Sequence, residues 1–226
     1  MLLRDLPNLY GIQDIQELNA LFTTLAFNTA GEVTLEDLSQ NSGVAQNTIK
    51  RYIEYLQAAF LVKIVHRIDR DGRRFQRANF FKVYLTNPSM RAALFSPVAD
   101  DDPAIGSLAE TGILSQWFHS PFPVNYARWD RGGSKGEVDI VGWSWAVEVK
   151  WSDRLFERRS ELKSLLAFCE SYRPKSIAVT TLTASGVKTV SAHQIEFVPT
   201  SVYCYAVGRN IVRGKHSLGP SLGRTP

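Results

Sequence analysis

The sixteen-residue segment GEVDIVGWSWAVEVKW (136–151) constrains the fold more than any other part of this sequence. Polar and apolar residues alternate on both sides of Trp143-Ser144, the pattern of a β-hairpin with one face on a core. With these two residues as the turn, Asp139 lies opposite Glu148. The other face then carries Val138, Ile140, Val147 and Val149. A one-residue slip would expose this apolar set, so the sequence favours this register.

The apposition of Asp139 and Glu148 predicts a cation between them. Two carboxylates opposite each other, with Cβ atoms about 5 Å apart, repel and destabilise a hairpin unless positive charge separates them. Mg²⁺ or Mn²⁺ meets this need, because such ions prefer oxygen ligands and are held by one or two carboxylates plus waters and phosphate. The same register places Glu137 opposite Lys150, which could stabilise charge on a phosphate or position a water. A solvated face with cross-strand ion pairs is the alternative interpretation.

A third carboxylate is expected from the helix predicted over residues 104 to 118. Glu110 shares a helical face with Ile113, Leu114 and Trp117. An acid on an apolar stripe is costly to bury without a partner, so its position indicates an inward-facing functional group. The predicted metal ligands are therefore Glu110, Asp139 and Glu148, with Asp139, Glu148 and Lys150 as catalytic residues.

The first 60 residues predict three helices. Apolar residues recur at three- and four-residue spacing over 12–28, and Thr34 with Asp37 resembles a capping box before a short second helix. Gly43 ends that helix, and a third begins near Gln46. Its apolar stripe consists of Ile49, Tyr52, Ile53, Leu56 and Phe60. Helix, glycine-bearing turn and helix is a helix-turn-helix arrangement.

A β-hairpin is predicted after these helices. LVKIVHRID and RRFQRANFFKVYL flank Asp71-Gly72, a dipeptide that favours a two-residue turn. Together, helix-turn-helix and hairpin indicate a winged helix. Arg67, Arg70, Arg73, Arg74 and Arg77 cluster on the predicted wing, where they could neutralise phosphates. The predicted nucleic-acid contacts are Gln46, Asn47, Lys50, Arg51, Arg70, Arg73 and Arg74. A protein-binding or interdomain winged helix remains the alternative.

The segment SPVADDDPAIG marks a change in composition and is the expected linker. We expect a winged helix-turn-helix domain over 1–98 and an α/β (α+β) domain with a mixed central sheet over 99–207. After the helix containing Glu110, strands are predicted near 124–130, 137–142 and 145–151, then a helix over 154–171. SIAVTTL and a last strand near VYCYAV follow. The tail 208–226 is rich in Gly, Pro, Ser and basic residues and is predicted to be disordered.

Composition excludes several classes. The chain has a formal net charge of +4 and a pI of about 9.1, which permits a polyanionic partner without requiring one. Two cysteines cannot form a disulfide framework or a four-cysteine zinc site. No apolar run is long enough for a membrane span, and the first residues lack a signal-peptide core. A cytoplasmic protein is expected.

The pattern Glu110, Asp139 and Glu148-Val149-Lys150 resembles the PD-(D/E)XK nuclease superfamily, in which a hairpin presents Asp and Glu-x-Lys beside a helix glutamate. The whole arrangement, from LLRDL to IEFVP, resembles domain-of-unknown-function family 4143. That family usually forms the C-terminal half of prokaryotic AAA-type ATPases, where a winged helix precedes a restriction-endonuclease-like domain. The resemblance covers residues 1 to about 205. The sequence differs from the family pattern in two respects. It lacks the ATPase half, and it has Thr86-Asn87 where an Asp usually follows the wing strand.

The resemblance implies a nucleic-acid-binding protein, with double-stranded DNA as the expected ligand, that carries a Mg²⁺- or Mn²⁺-dependent phosphodiesterase site. A non-catalytic adaptor of a separate AAA-type ATPase and a winged-helix transcription regulator remain alternatives. The sequence has no Walker-type segment, so this chain by itself is not expected to hydrolyse ATP.

Overall fold

The computed structural model describes residues 4–74, 80–131 and 134–214. Its N-terminal part contains α1 (Asp5–Tyr10), α2 (Ile15–Phe27), β1 (Glu32–Thr34), α3 (Leu35–Ser42), α4 (Gln46–Ala58), β2 (Val62–Ile68), β3 (Phe80–Leu85) and α5 (Ser89–Phe95). Its C-terminal part contains α6 (Ala104–Trp117), β4 (Asn125–Arg131), β5 (Ser134–Val141), β6 (Trp145–Glu148), α7 (Arg154–Glu157), a 3₁₀ turn (Arg159–Glu161), α8 (Lys163–Tyr172), β7 (Ser176–Thr181), β8 (Gly186–Val190), β9 (His193–Pro199) and α9 (Thr200–Val212). The fold is mixed α/β.

The described strands form one mixed sheet in the order β1-β3-β2-β4-β5-β6-β7-β9-β8. The pairs β2/β4, β6/β7 and β7/β9 are parallel, and the remaining neighbours are antiparallel. The pairing of β2 with β4 joins the N-terminal and C-terminal halves, because His66–Ile68 lie beside Asn125–Ala127. The two domains expected over residues 1–98 and 99–207 therefore contribute strands to one continuous sheet.

Helices cover both faces of the C-terminal part of the sheet. On one face α6 and α9 pack over Ile140, Val147 and Val198, with Trp117 and Trp145 stacked between helix and sheet at 4.5 Å. On the other face α8 packs over Val138, Val179 and Phe197. A separate core lies among α2, α3, α4 and the β2–β3 pair. Because helices cover both faces of the sheet, the central strands consist largely of consecutive apolar residues.

The predicted N-terminal helices are confirmed. Thr34 and Asp37 form a capping box at the start of α3, and Gly43 ends that helix at a φ of 74°. Ile49, Tyr52, Ile53 and Leu56 are buried on one face of α4. Phe60 is not: α4 ends at Ala58, and Phe60 is 47% exposed at a φ of 56°.

A turn forms at Asp71-Gly72 as expected, but it is longer than two residues, because Ile68 pairs with Arg74 and the Asp69 N–H donates to the Arg73 carbonyl at 3.0 Å. A two-residue turn would place His66 opposite Arg77, but the ladder pairs His66 with Phe81. Gly72 instead donates its N–H to the Asp69 carbonyl at 3.1 Å, within a turn that the Asp69 side chain closes by accepting the Arg73 N–H. Residues 75–79, Arg77 among them, lie outside the described part of the chain.

The helix expected over 154–171 is broken into α7, a 3₁₀ turn and α8. Arg158 leaves the helical region, with a ψ of 80°. Leu155 and Leu162, on either side of the break, are both buried in the same core. The break therefore changes the direction of the backbone but leaves both leucines buried in the same core.

The strand expected at VYCYAV is also wrong, since these residues lie in α9. Tyr203, Ala206, Val207 and Ile211 are its buried face, a helical spacing that packs against α6. The helix includes residues 208–212, so the tail expected to be disordered begins inside it; residues 215–226 lie outside the described part. None of the described helices is long and apolar enough to cross a membrane.

Candidate functional site

The register of the central hairpin is the one the sequence predicts. Ile140 pairs with Val147 and Val141 with Ala146, and the Gly142 N–H donates to the Trp145 carbonyl at 3.0 Å. The turn is therefore Trp143-Ser144. The ring of Trp145 covers Gly142, where any larger residue would collide with it.

A β-bulge aims Asp139 at the site. β5 pairs Val141 with Asn125 and Val138 with Ala127, so Asp139 and Ile140 both lie opposite Tyr126 on β4. A bulge of this kind redirects the side chain of the extra residue. Asp139 is 9% exposed, and its Oδ2 accepts the Val149 N–H at 2.7 Å, which ties it to the end of β6.

Glu148 and Lys150 lie beside Asp139, as predicted. The Lys150 Nζ is 2.7 Å from Glu148 Oε1 and 3.7 Å from Asp139 Oδ2. The backbone of Lys150 is held on both sides by Thr180, whose hydroxyl accepts its N–H at 2.8 Å and contacts its carbonyl at 3.1 Å. The Lys150 side chain is 39% exposed, whereas those of Glu148 and Asp139 are 14% and 12% exposed. The lysine is thus the solvent-facing member of the group.

Glu148 Oε2 is buried and has no hydrogen-bond partner among the described residues. An unsatisfied buried carboxylate oxygen is costly, and each such group in a folded protein needs an explanation. A cation beside Asp139 and Glu148 would supply the missing interaction.

Glu110 faces inward from α6, as its place on the apolar stripe predicts, but its immediate partners were not foreseen. Its carboxylate accepts hydrogen bonds from Lys82 Nζ at 2.9 Å and from the Tyr84 hydroxyl, both on β3. Lys82 is 3% exposed and also contacts Glu137 at 2.8 Å. The N-terminal half of the chain therefore contributes two side chains to the carboxylate cluster.

Sequence reasoning missed Lys82 and Tyr84, although a signal was present. Lys82 is the only charged residue in the strand FFKVYL, and a lysine within an apolar strand is unusual unless it is paired. Its ammonium also lies 5.1 Å from the Tyr126 ring centroid, a cation–π contact that supports its buried position.

The position expected for Glu137 is wrong. It does not lie beside Lys150; it pairs with Lys82 and, at 3.6 Å, with Arg128. The physical reason is that the β5–β6 ladder ends at the Ile140–Val147 pair, so it does not extend to a Glu137–Lys150 pair. Glu137 instead contacts Lys82, which lies on β3.

The burial of these groups sets their protonation. Burial, and then the Asp139 carboxylate, raises the pKa of Glu148 to about 8, although Lys150 acts in the opposite direction. Burial raises the pKa of Glu110 to about 7 against the effect of Lys82, and Asp139 adds to the rise. Burial alone would lower the pKa of Lys82 and Lys150, but the surrounding carboxylates raise both above the ordinary value. Both lysines are therefore cationic at neutral pH, and the raised pKa values of Glu110 and Glu148 let these two carboxyl groups gain or lose protons near neutral pH. Such perturbed groups are concentrated at functional sites.

The residues predicted to contact nucleic acid fall into two surface groups. Gln46, Asn47, Lys50 and Arg51 are exposed in the first half of α4, and Arg70, Arg73 and Arg74 are exposed on the turn after β2. Arg67 differs from them, because it is half-buried, donates to the Arg128 carbonyl at 3.0 Å and lies 3.5 Å from Glu32. Its role is structural.

Within the residues that the structure describes, no three histidine, cysteine or acidic side chains are arranged to hold a metal ion. Glu110 accepts hydrogen bonds from Lys82 and Tyr84, so the remaining predicted ligands are Asp139 and Glu148. Of these two, Glu148 has an oxygen, Oε2, without a hydrogen-bond partner among the described residues. This pair fits the chemistry of Mg²⁺, which commonly takes one or two protein carboxylates and completes its shell with water and phosphate.

Comparison with known proteins gives one finding. A family model described as a domain of unknown function (DUF8612) matches residues 1–101. No curated protein and no solved structure matches the chain. The match covers the elements α1 to α5, including Lys82 and Tyr84, and ends before the hairpin that carries Asp139 and Glu148.

Proposed function

We propose that this protein is a nucleic-acid-binding protein with a divalent-metal-dependent phosphodiesterase site formed by Asp139, Glu148 and Lys150. The observation that carries the proposal is the convergence of these three residues, together with a buried Glu148 oxygen, Oε2, that has no hydrogen-bond partner among the described residues. The resemblance of Asp139 and Glu148-Val149-Lys150 to the PD-(D/E)XK superfamily supports the same assignment. Double-stranded DNA is the substrate to test first.

In this proposal Asp139 and Glu148 hold Mg²⁺ or Mn²⁺, and the bound ion supplies Lewis acidity toward a phosphodiester oxygen. Lys150 remains protonated and, being partly exposed, donates a charge-assisted hydrogen bond to a phosphate oxygen. The Thr180 hydroxyl, bonded to both backbone groups of Lys150, holds the lysine at the end of β6.

The N-terminal half would bind the nucleic acid. Helices α3 and α4 with the β2–β3 hairpin fit a winged helix-turn-helix. In the first half of α4, Gln46, Asn47, Lys50 and Arg51 would contact the duplex. Arg70, Arg73 and Arg74 on the neighbouring turn would neutralise phosphates. Because β2 and β4 share a sheet, these elements would be held at a fixed position relative to the carboxylates.

One observation favours a second candidate, a non-catalytic adaptor that binds nucleic acid or a separate AAA-type ATPase. Lys82 neutralises Glu110 and Glu137 from within the cluster, so part of the acidic charge is balanced without a metal ion. In such a protein the carboxylates and lysines would act as a structural ion network between the two halves of the sheet.

The test is incubation of the full chain with supercoiled plasmid, linear duplex, single-stranded DNA and RNA, in Mg²⁺ or Mn²⁺ and in chelator. We expect metal-dependent cleavage of at least one substrate and its loss in Asp139→Asn and Lys150→Met. The exposed Glu54→Gln is the matched control and should cleave like the wild type. Cleavage that persists unchanged in both site variants, or its absence from all four substrates, would favour the adaptor.

A further inference from the structure

A concave site lies at the turn end of the central hairpin. Its volume is about 630 Å³, and its lining includes Arg74, Phe122, Pro123, Trp143, Trp145 and Tyr172. We name it the tip pocket. Its size lies within the range of small-molecule and cofactor sites, and it shares none of the carboxylate site's residues.

The tip pocket is built on rigid contacts. The Tyr172 hydroxyl donates to the carbonyls of Gly142 and Trp143 at 2.8 and 3.1 Å, and its ring packs directly against Gly72. Tyr172 thereby joins the turn after β2 to the hairpin tip. Gly72 has a φ of 82°, so the close packing and the backbone both require glycine there.

Aromatic rings are exposed at the mouth of the pocket. The Trp143 side chain is 92% exposed at the hairpin turn, and Phe122 is 51% exposed on the facing loop. A fully exposed indole held on a fixed turn is unusual for a residue that otherwise contributes large apolar area to a core. It offers a flat surface on which another ring can stack.

The rim of the pocket is cationic. Arg74 lines the pocket, and Arg70, Arg73, Arg173 and Lys175 are exposed within three residues of the lining residues Gly72 and Tyr172. Lys175 is placed beside the tip because its N–H donates to the Ser144 carbonyl at 2.7 Å. None of the five forms an ion pair within the part of the chain that the structure describes. The neighbouring acids are Asp69, Asp71 and the exposed Glu170 on α8, and the Asp69 carboxylate accepts the N–H groups of Asp71 and Arg73.

We infer that the tip pocket binds an unpaired nucleotide of a single-stranded nucleic acid, with its base against Trp143 and its phosphates on the arginine rim. Exposed aromatic rings beside a cationic groove are the combination that binds single strands without sequence preference. An apolar peptide would use the rings but leave the five cations without partners. The inference rests on the proposed function only in taking nucleic acid as the ligand.

Binding of a short fluorescein-labelled oligothymidylate to the full chain, at low salt and in chelator, tests the inference. Stacking on an aromatic side chain is worth about 1–3 kcal/mol per base, so we expect Trp143→Ala to weaken binding by at least about 5-fold. Arg74→Gln should weaken it and also reduce its salt dependence. Tyr205→Ala, which removes an aromatic residue that is 68% exposed on α9, is the matched control and should bind like the wild type.

The outcomes separate this inference from the proposed function. Equal affinity of Trp143→Ala and wild type overturns the tip pocket, whether or not the protein cleaves DNA. Equal affinity for an abasic oligonucleotide of the same length also overturns it, because the base would then contribute nothing. Oligothymidylate binding that depends on Trp143 in a protein without nuclease activity supports the pocket and leaves only the catalytic proposal rejected.

Discussion

Replacing Glu148 by glutamine should stabilise the protein in chelator at alkaline pH. Glu148 is 14% exposed and lies beside Asp139, and its pKa is raised from 4.5 to about 8. Between these values the unfolded chain has lost the Glu148 proton while the folded chain retains it. Folding therefore requires proton uptake, and the stability of the wild type falls as pH rises through this window.

The magnitude follows from the width of the window. Each unit of pKa difference corresponds to about 1.4 kcal/mol, so the full window gives a ceiling of about 5 kcal/mol. Loss of the Lys150–Glu148 contact offsets part of this gain, and we expect Glu148→Gln to be more stable by at least about 1 kcal/mol at pH 9. Near pH 4 the two proteins should have nearly equal stability, because Glu148 is then protonated in both states.

Urea denaturation of both proteins from pH 4 to pH 9 in chelator measures this difference. Glu54→Gln, an exposed acid on α4, is the control and should show no such pH-dependent gain. A Glu148→Gln protein that is less stable than the wild type at pH 9, or a stability difference that does not grow with pH, would refute the reasoning about this carboxylate.

Two further predictions concern Lys82 and Gly72, which contact residues of the C-terminal half, with Gly43 as the comparison for Gly72. Lys82→Met should lower the free energy of unfolding by about 3–5 kcal/mol at pH 8, because it leaves the Glu110 carboxylate buried without its cation. Urea denaturation should show a smaller loss of stability at pH 5, where Glu110 is protonated. An equal loss at both pH values would contradict this explanation. Gly43→Ala should cost about 1–2 kcal/mol for its left-handed backbone in open space. Gly72→Ala should cost more, because its added Cβ also meets the Tyr172 ring; equal melting temperatures for the two variants would contradict that contact.

Local patterns in the sequence predicted much of this fold. The hairpin register followed from alternation around Trp143-Ser144, since only that pairing buries the apolar residues of both strands. The capping box at Thr34 and the end of α3 at Gly43 also depend on neighbouring residues alone. Asp139, Glu148 and Lys150 could be brought together because one hairpin carries all three.

What the sequence did not reveal depends on distant contacts or on patterns with two interpretations. The run at Val202–Val207 is rich in β-branched and aromatic residues, which favours a strand, yet packing on α6 makes it a helix. Spacing could have shown this, because Tyr203, Ala206 and Val207 lie three and four residues apart. The partnership of Lys82 with Glu110 requires the pairing of β2 with β4, which joins segments that are far apart in sequence.

The bulge at Asp139 is a further example. Strict alternation places Val138 and Ile140 on one face, but they pack in different cores on opposite sides of the sheet. The bulge is defined by the pairing of β5 with β4, not by the hairpin itself. An extra residue in a ladder is visible only when both partner strands are known.

Titration calorimetry with Mn²⁺ tests most directly whether Asp139 and Glu148 form a metal site. We predict binding to the wild type that strengthens as pH rises toward 8, because Glu148 must lose its proton to accept the ion. Binding should be lost in Asp139→Asn and retained in Glu54→Gln. No detectable binding at millimolar Mn²⁺, or equal binding by the wild type and Asp139→Asn, would contradict the proposed metal site.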